Sequence, residues 1–224
     1  MQLNDVLSKL KSLSNPKNVE GMTRFGINPV KTFGIKIPDL RKMAKEITKD
    51  HPLALELWDS GYHEARILAS MIDDPKLVDE KQMDSWAADF DSWDVCDQTA
   101  MNLFWLTPFA HDKAVEWSSH QEEFIKRAGF AMMSVLAWKD KQAKDEQLLE
   151  FLPIIKREAI DSRNFVKKAV NWALRQIGKR NINLNKKAIE VAKEIQSMDN
   201  KTAKWIAGDA LRELQSEAVQ KRMD

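Results

Sequence analysis

The chain has 224 residues, of which 43% are hydrophobic and 31% are charged, and its formal net charge is +1. A single Cys among these residues excludes an internal disulfide framework and a cysteine zinc cluster. No apolar run approaches the roughly 20 residues that a membrane-spanning helix needs, and the first residues do not read as a signal peptide. The composition predicts a mostly helical, cytoplasmic protein without a membrane partner.

Apolar residues recur with a period of about 3.6 residues along almost the whole chain, and no segment alternates as a strand does. The period predicts helices near 2–13, 38–49, 51–59, 62–73, 79–89, 93–106, 109–118, 121–138, 144–159, 162–178, 185–197 and 199–220. Residues 14–37 are expected to form the longest irregular stretch. Residues 1–37 would then serve as an N-terminal cap region.

A stretch of small residues after a polar start recurs in the later helix of successive helix pairs. The stretches are HEARILAS, WDVCDQTA, KRAGFAMM, KKAVNWAL and AKWIAGDA, which begin at residues 63, 93, 126, 167 and 203. These intervals of 30 to 41 residues are typical of two-helix solenoid repeats. One helix pair cannot bury its apolar faces alone, so the pairs are expected to stack. A helical bundle without repeats is the alternative.

Charge is distributed unevenly along the chain. Residues 1–49 hold 10 Lys and Arg against 4 Asp and Glu, residues 50–150 hold 9 against 21, and residues 151–224 hold 16 against 9. Basic ends that flank an acidic middle would present a basic rim to a polyanion if the chain curves. Ordinary solvated helix faces explain the same counts, so charge alone leaves both interpretations open.

The helix at 162–178 has a basic face that includes an aromatic ring. Its core stripe follows helical spacing and consists of Val166, Ala169, Val170, Ala173, Leu174 and Ile177. The opposite side carries Lys168, Trp172, Arg175 and Lys179. Cations interleaved with an aromatic ring suit phosphate and sugar. The alternative is that Trp172 covers a neighbouring repeat, or stacks under Arg175 or Lys168 in a structural cation–π pair.

Helix 93–106 places two further candidates off its core stripe. That stripe consists of Val95, Cys96, Thr99, Leu103 and Leu106. Trp93 and Asp97 lie four residues apart on one side, near the positive end of the helix, which favours an ionised carboxylate. The alternative has Trp93 packed on the preceding helix, with Asp94 or Asp97 acting only as a cap.

The helix at 121–138 carries one cation of interest. Its core row consists of Phe124, Ile125, Ala128, Met132 and Val135. Arg127 lies beside the small residues Ala131 and Ser134. We therefore expect its guanidinium to be free to reach outward.

Other chemistries have little support in the sequence. The four histidines are scattered without ligand spacing, so no metal is expected. Glycine-rich phosphate loops, nucleophile elbows and dinucleotide fingerprints are absent, so no cofactor is expected. Cys96, on an apolar row, is predicted to be a buried thiol and not a nucleophile.

Five sequence blocks, in order along nearly the whole chain, resemble one known family. The blocks are FGIKIPDLRKMAKEI at 33–47, LWDSGYHEARILAS at 57–70, SWDVCDQ at 92–98, KRAGF at 126–130 and FVKKAVNWALRQIGKR at 165–180. They resemble the AlkD-like DNA alkylation repair proteins, which are helical solenoids of HEAT-like repeats. The resemblance implies an all-α fold in one domain, 1–224. It would be a right-handed α-solenoid of about six helix pairs, curved, with a basic concave face.

The resemblance also implies an activity, the excision of cationic N3- and N7-alkylated purines from duplex DNA by a monomeric, monofunctional glycosylase. Catalytic members use a Trp and an Asp four residues later, which match Trp93 and Asp97, and a second Trp that matches Trp172. The carboxylate would stabilise an oxocarbenium-like sugar and position water, while the two rings hold the deoxyribose. Members of this family resemble an exception to base flipping, because they read the lesion through the DNA backbone.

The same resemblance assigns the contacts with the DNA backbone. A later Arg of the family matches Arg127, which would anchor a phosphate. Lys168, Arg175 and Lys179 would add grip that is independent of sequence. An aromatic hydroxyl of the catalytic members falls at Phe25, which has no hydroxyl group.

Two alternatives to the glycosylase remain open at this point. One is a non-catalytic binder of branched or damaged DNA from the same family, which the Phe25 difference favours. The other is a helical-repeat scaffold for proteins, which would show no salt-dependent DNA binding.

Overall fold

A computed structural model of the chain describes residues 1–223, and all regular structure in that range is helical, as predicted. The α-helices, with the 3-10 turn η1, are α1 (Leu3–Ser12), α2 (Pro16–Arg24), α3 (Ile37–Ile47), α4 (His51–Asp59), α5 (His63–Ile72), α6 (Glu80–Ala88), α7 (Trp93–Asn102), η1 (Phe104–Leu106), α8 (Ala110–Trp117), α9 (Glu123–Lys139), α10 (Asp145–Leu149), α11 (Phe151–Glu158), α12 (Asn164–Gly178), α13 (Ile182–Gln196), α14 (Lys201–Leu214) and α15 (Glu217–Gln220). Within residues 1–223, no helix is long and apolar enough to cross a membrane.

The prediction of an irregular stretch over 14–37 was wrong, because α2 occupies part of it. Asn15 caps this helix by accepting a hydrogen bond from the backbone N–H of Asn18, and Pro16 takes the first helical position. No residue of α2 is buried. Among the α-helices of residues 1–223, α2 therefore differs from the others in contributing no buried residue to the core.

Three other predicted helices are interrupted. The segment 199–220 forms α14 and α15, with a break at residues 215–216. The segment 144–159 forms α10 and α11, since Pro153 has no N–H to donate to the carbonyl of Leu149. The segment 93–106 ends as an α-helix at Asn102 and continues as η1, which leaves the side chain of Leu106 47% exposed instead of on the core stripe. By contrast, the predicted core stripe of α12 is fully buried.

The chain divides into two compact units, Met1–Thr107 and Pro108–Asp224. In the first unit, α4 packs against α5, and α5 also packs against α3 and α7. In the second unit, α9 packs against α8 and α12, and α12 packs against α13 and α14. The five recurrent small-residue stretches fall in α5, α7, α9, α12 and α14. Small residues there allow successive later helices of each unit to pack side by side.

Glu64, at the start of α5, organises the loop between α2 and α3. Its side chain is 1% exposed, and it accepts hydrogen bonds from three consecutive backbone N–H groups: Phe33 at 2.8 Å, Gly34 at 2.6 Å and Ile35 at 3.0 Å. A buried carboxylate requires such donors, and buried N–H groups require acceptors. The loop and the helix therefore satisfy each other.

The same loop fixes the start of α2. The N–H of Asn15 donates to the carbonyl of Phe33 at 2.7 Å, and the side chain of Asn18 donates to the carbonyl of Gly34 at 2.8 Å. Gly34 has φ +79°, and a Cβ there would lie 2.3 Å from the carbonyl oxygen of Asn15. Only glycine allows this close approach.

Replacing Glu64 by alanine is expected to destabilise the protein by at least about 3 kcal/mol, because three N–H groups lose their acceptor at about 1–3 kcal/mol each. Urea unfolding followed by circular dichroism measures the change. Glu46→Ala is the matched control, since Glu46 is exposed and pairs only with Lys9, and it is expected to cost less than about 1 kcal/mol. A similarly small loss for Glu64→Ala would contradict this account of the loop.

Candidate functional site

Helix α7 carries the first pair of candidate residues, Trp93 and Asp97. Trp93 is the first residue of the helix and is half-buried. Asp97, one turn later, is only 7% exposed. A carboxylate so protected from water interacts more strongly with a nearby charge than one on the surface. Cys96 is buried and forms no disulfide, so the prediction of a buried thiol is confirmed.

Phe25 meets Trp93 at the N-terminal end of α7. The indole Nε1 of Trp93 donates to the backbone carbonyl of Phe25 at 3.1 Å, which fixes the orientation of the ring. The Phe25 ring itself is 73% exposed. The structure therefore brings together two candidate residues that are 68 positions apart in the chain.

The segment after Phe25 is attached to the same helix end. The N–H of Asn28 donates to the hydroxyl of Ser92 at 2.9 Å, and its side chain donates to the carboxylate of Asp91 at 2.8 Å. Ser92 is fully buried. These contacts hold the loop that carries Phe25 in one position beside Trp93.

A buried histidine completes this end of α7. His63 Nε2 lies 2.9 Å from a carboxylate oxygen of Asp94, and the residue is 5% exposed. Burial lowers the pKa of His63, but the hydrogen bond and the charge of Asp94 outweigh burial and raise that pKa above its ordinary value. Asp94 thus favours the protonated form of the buried imidazole. Within residues 1–223, no group of His, Cys, Asp and Glu side chains could hold a metal ion.

In the second unit, the prediction that the Arg127 guanidinium is free to reach outward was wrong. The residue is 6% exposed, and its Nη1 donates to the carbonyl of Phe165 at 2.7 Å. Residues 126–137 of α9 are all buried, because α8 and α12 both pack against this helix. A one-sided core row was therefore the wrong expectation for α9.

An ion-pair network holds the N-terminal ends of α9 and α12 together. Lys126 pairs with Glu158 and, at 3.0 Å, with Asp161, which also binds Arg163 at 2.6 Å. The carboxylate of Glu123 accepts the N–H of Phe165 at 3.2 Å. Burial raises the pKa of Asp161, but hydrogen bonds from Arg163 and Lys126 outweigh it and lower the pKa to about 2. The network therefore stays charged at neutral pH and fixes the backbone that Arg127 contacts.

Helix α12 presents Lys168 and Trp172 away from its core. Lys168 is exposed and makes no ion pair in the described part of the chain, while Trp172 is half-buried. No cation–π contact joins Trp172 to Lys168 or Arg175 among residues 1–223. The cation–π alternative considered for Trp172 is therefore not observed.

The other two predicted cations of α12 are engaged by α14. Arg175 Nη1 lies 2.5 Å from one oxygen of Glu213, and Lys179 Nζ lies 2.7 Å from the other. A second carboxylate, that of Asp209, places its Oδ2 3.7 Å from Arg175 Nε. Burial raises the pKa of Glu213, but the hydrogen bonds from Lys179 and Arg175 outweigh it and lower that pKa. The free basic face predicted for α12 is thus reduced mainly to Lys168.

Sequence reasoning missed Glu64, the His63–Asp94 pair and Glu213. A signal existed for the first two, because HEARILAS places a His and a Glu at the polar start of a helix that is otherwise small and apolar. Glu213 had no comparable signal, since its pairing with α12 depends on the contact between two helices far apart in the chain.

The family of this chain follows from comparison with known proteins. A family model described as "DNA alkylation repair enzyme" matches residues 6–214, so the chain belongs to that family. The uncharacterised protein Lin0241 of Listeria innocua serovar 6a is 25% identical over 196 residues, which is 84% of each chain.

A solved structure matches the fold over the full length. It is described as belonging to a new family of proteins related to the HEAT-like repeat DNA glycosylases, with affinity for branched DNA structures. The match covers 100% of this chain and 96% of that one, with a TM-score of 0.83 and 24% sequence identity. The fold is therefore that of the HEAT-like repeat proteins, as predicted.

Proposed function

We propose that this member of the DNA alkylation repair family excises cationic N3- or N7-alkylated purines from duplex DNA by hydrolysing the N-glycosidic bond. The observation that carries the proposal is the pair on α7. Asp97 is nearly inaccessible to water, and one turn away the ring of Trp93 is held by the Phe25 carbonyl at 3.1 Å. A protected carboxylate beside a fixed aromatic face suits a cationic sugar.

The chemistry needs little from the protein because the lesion activates itself. Alkylation places a positive charge on the purine, so the purine leaves as a neutral base with the electron pair of the glycosidic bond. The positive charge that develops at C1′ is stabilised by Asp97, as in other glycoside hydrolyses. Water adds at C1′ and transfers a proton to the carboxylate or to solvent.

The second unit supplies the remaining proposed roles. Lys168 grips a phosphate independently of sequence, and the ring of Trp172 holds a deoxyribose. Arg127 is proposed as the phosphate anchor, although it is buried and donates to the Phe165 carbonyl. We also propose that the protein is a monomer and is located in the cytoplasm.

A second candidate function is the binding of branched DNA without catalysis. Phe25 favours it, because the catalytic members that the sequence resembles carry an aromatic hydroxyl there. The related solved structure is of a protein described as having affinity for branched DNA. This candidate predicts tighter binding to junctions than to plain duplex, and no release of alkylated bases.

Base release separates the two candidates. The wild type is expected to release 7-methylguanine from a duplex that carries a single such lesion. Asp97→Asn is expected to bind the same duplex but to release the base about 100- to 1,000-fold more slowly, since it loses the charge that stabilises the sugar cation. Asp112→Asn, at an exposed site on α8, is the control.

Unchanged excision by Asp97→Asn would remove this residue from the mechanism. No release by the wild type, under conditions where it binds the duplex, would favour the branched-DNA binder.

Two substitutions, one at the exposed Lys168 and one at the paired Glu213, should have opposite effects on duplex binding. Lys168→Ala should weaken binding equally for all sequences and make the dependence of log K on log[salt] shallower by about one unit. Glu213→Gln should strengthen binding and steepen that dependence, because it releases Arg175 and Lys179. Fluorescence anisotropy at several salt concentrations measures both.

Lys187→Ala and Glu194→Gln serve as controls, because both residues lie on α13 and form exposed ion pairs. If Lys168→Ala and Glu213→Gln altered thermal stability alone, α12 would not be a DNA-binding surface.

A further inference from the structure

An open cleft of about 650 Å³ lies within the first unit. Its apolar lining comes from α2, the loop after it, α5 and α7, and includes Met22, Phe25, Ile27, Ile35, Ile67 and Trp93. The volume falls within the range of roughly 300–1,000 Å³ that is usual for small-ligand sites. Asp97 is not among the lining residues, but Trp93 is, so the cleft shares that ring with the site proposed for the deoxyribose.

The fold itself does not fill this cleft. Met22 on α2 and Phe25, the residue directly after it, line the cleft, and no residue of α2 is buried. Phe25 is 73% exposed. A Cβ added at Gly21, which also lines the cleft, would meet no atom within 4 Å. The ring of Phe25 is thus open to solvent, while Met22 is half-buried.

The cleft is nevertheless held in a fixed shape. Glu64 binds the N–H groups of residues 33–35 on one side. On the other side, the indole of Trp93 binds the Phe25 carbonyl. The close contact of Gly34 with Asn15 sets the position of α2 between them. A rigid, preformed cleft binds a rigid ligand with little ordering cost.

Positive charge at the edge of the cleft favours a ligand that carries negative charge. Lys17 and Lys36 line the cleft, and both are exposed. Neither forms an ion pair among the residues that the structure describes. Residues 1–49 carry 10 Lys and Arg against 4 Asp and Glu. An apolar, aromatic interior with cations at the edge matches a planar ring that is attached to phosphate groups.

We propose that this cleft binds a single unpaired nucleobase of DNA, which stacks on Phe25 and Trp93 while Lys17 and Lys36 contact the neighbouring phosphates. Base–aromatic stacking of this kind tolerates any sequence, because every base has a π face. The proposal rests on the DNA binding of the proposed function but not on its catalytic step.

Preference for particular DNA shapes follows from this site. A base in continuous duplex must first be unpaired and unstacked, and that cost is smallest where the base is already out of the helix. DNA with an extrahelical base should therefore bind more tightly than fully paired duplex.

Three DNA molecules test the proposal: a paired duplex, the same duplex with one bulged adenine, and the same bulge with an abasic residue in place of the adenine. Anisotropy should show the wild type binding the adenine bulge about tenfold more tightly than the other two, the scale of one stacking contact. The abasic bulge controls for bending of the helix.

Gly21→Leu fills the cleft and should reduce the affinity for the adenine bulge to that for the abasic bulge. Leucine fits this site because a Cβ at residue 21 meets no atom within 4 Å. Leucine also favours a helix more than glycine does. Gly208→Leu on α14 is the matched control, since its Cβ also meets nothing within 4 Å. It should keep the tenfold preference.

A 2-aminopurine in the bulge gives an independent readout. Its fluorescence should fall when the wild type binds, through stacking on the aromatic rings, and should stay high with Gly21→Leu.

Equal affinity of the wild type for the adenine and abasic bulges would overturn the proposal while leaving DNA binding intact. A preference that persists in folded Gly21→Leu would also overturn it. Absence of binding to all three DNA molecules would instead remove the proposed function as well.

Discussion

The carboxylate of Glu64 is the contact on which the first unit depends. Because it is buried and accepts three consecutive N–H groups from residues 33–35, it fixes a loop that has no regular structure of its own. That loop in turn bonds to Asn15 and Asn18 and so sets the start of α2. The residue directly after α2 is Phe25, whose carbonyl accepts the hydrogen bond from the Trp93 indole. One buried charge thus positions an aromatic residue of the proposed active site.

In the second unit, some of the predicted DNA-binding cations form ion pairs within the protein and one stays exposed. Arg175 and Lys179 both bind Glu213, and this pairing joins α12 to α14. Lys168 is left as the exposed cation of that predicted set. Counts of charge along the sequence overestimate a binding surface for this reason, because a lysine or arginine that neutralises a neighbouring helix offers less to a phosphate. The basic ends of the chain are therefore a weaker argument for DNA binding than their formal charge indicates.

The hydrophobic period predicted the features that depend on local residue spacing. It failed for features that depend on contacts between residues far apart in the chain. The helices, the recurrent small-residue stretches and the buried stripe of α12 follow from the 3.6-residue period. Helix α2 was not predicted because none of its residues is buried. Its start is fixed by the Asn15 cap and by hydrogen bonds with residues 33–34. The burial of Arg127 and the pairing of Glu213 depend on packing between helices, which no single-helix pattern reports. Helical spacing singled out most of the candidate site residues, the family resemblance added Phe25 and the catalytic roles, and those roles stay predictions.

The proposed catalysis depends on stabilisation of a cationic sugar by Asp97. The most direct test compares the affinity of the wild type for two duplexes, one with a cationic pyrrolidine in place of a deoxyribose and the other with a neutral tetrahydrofuran. We expect the cationic analogue to bind at least about 100-fold more tightly, as transition-state analogues do, and Asp97→Asn to lose this difference. Equal affinities of the wild type for the two duplexes would contradict it.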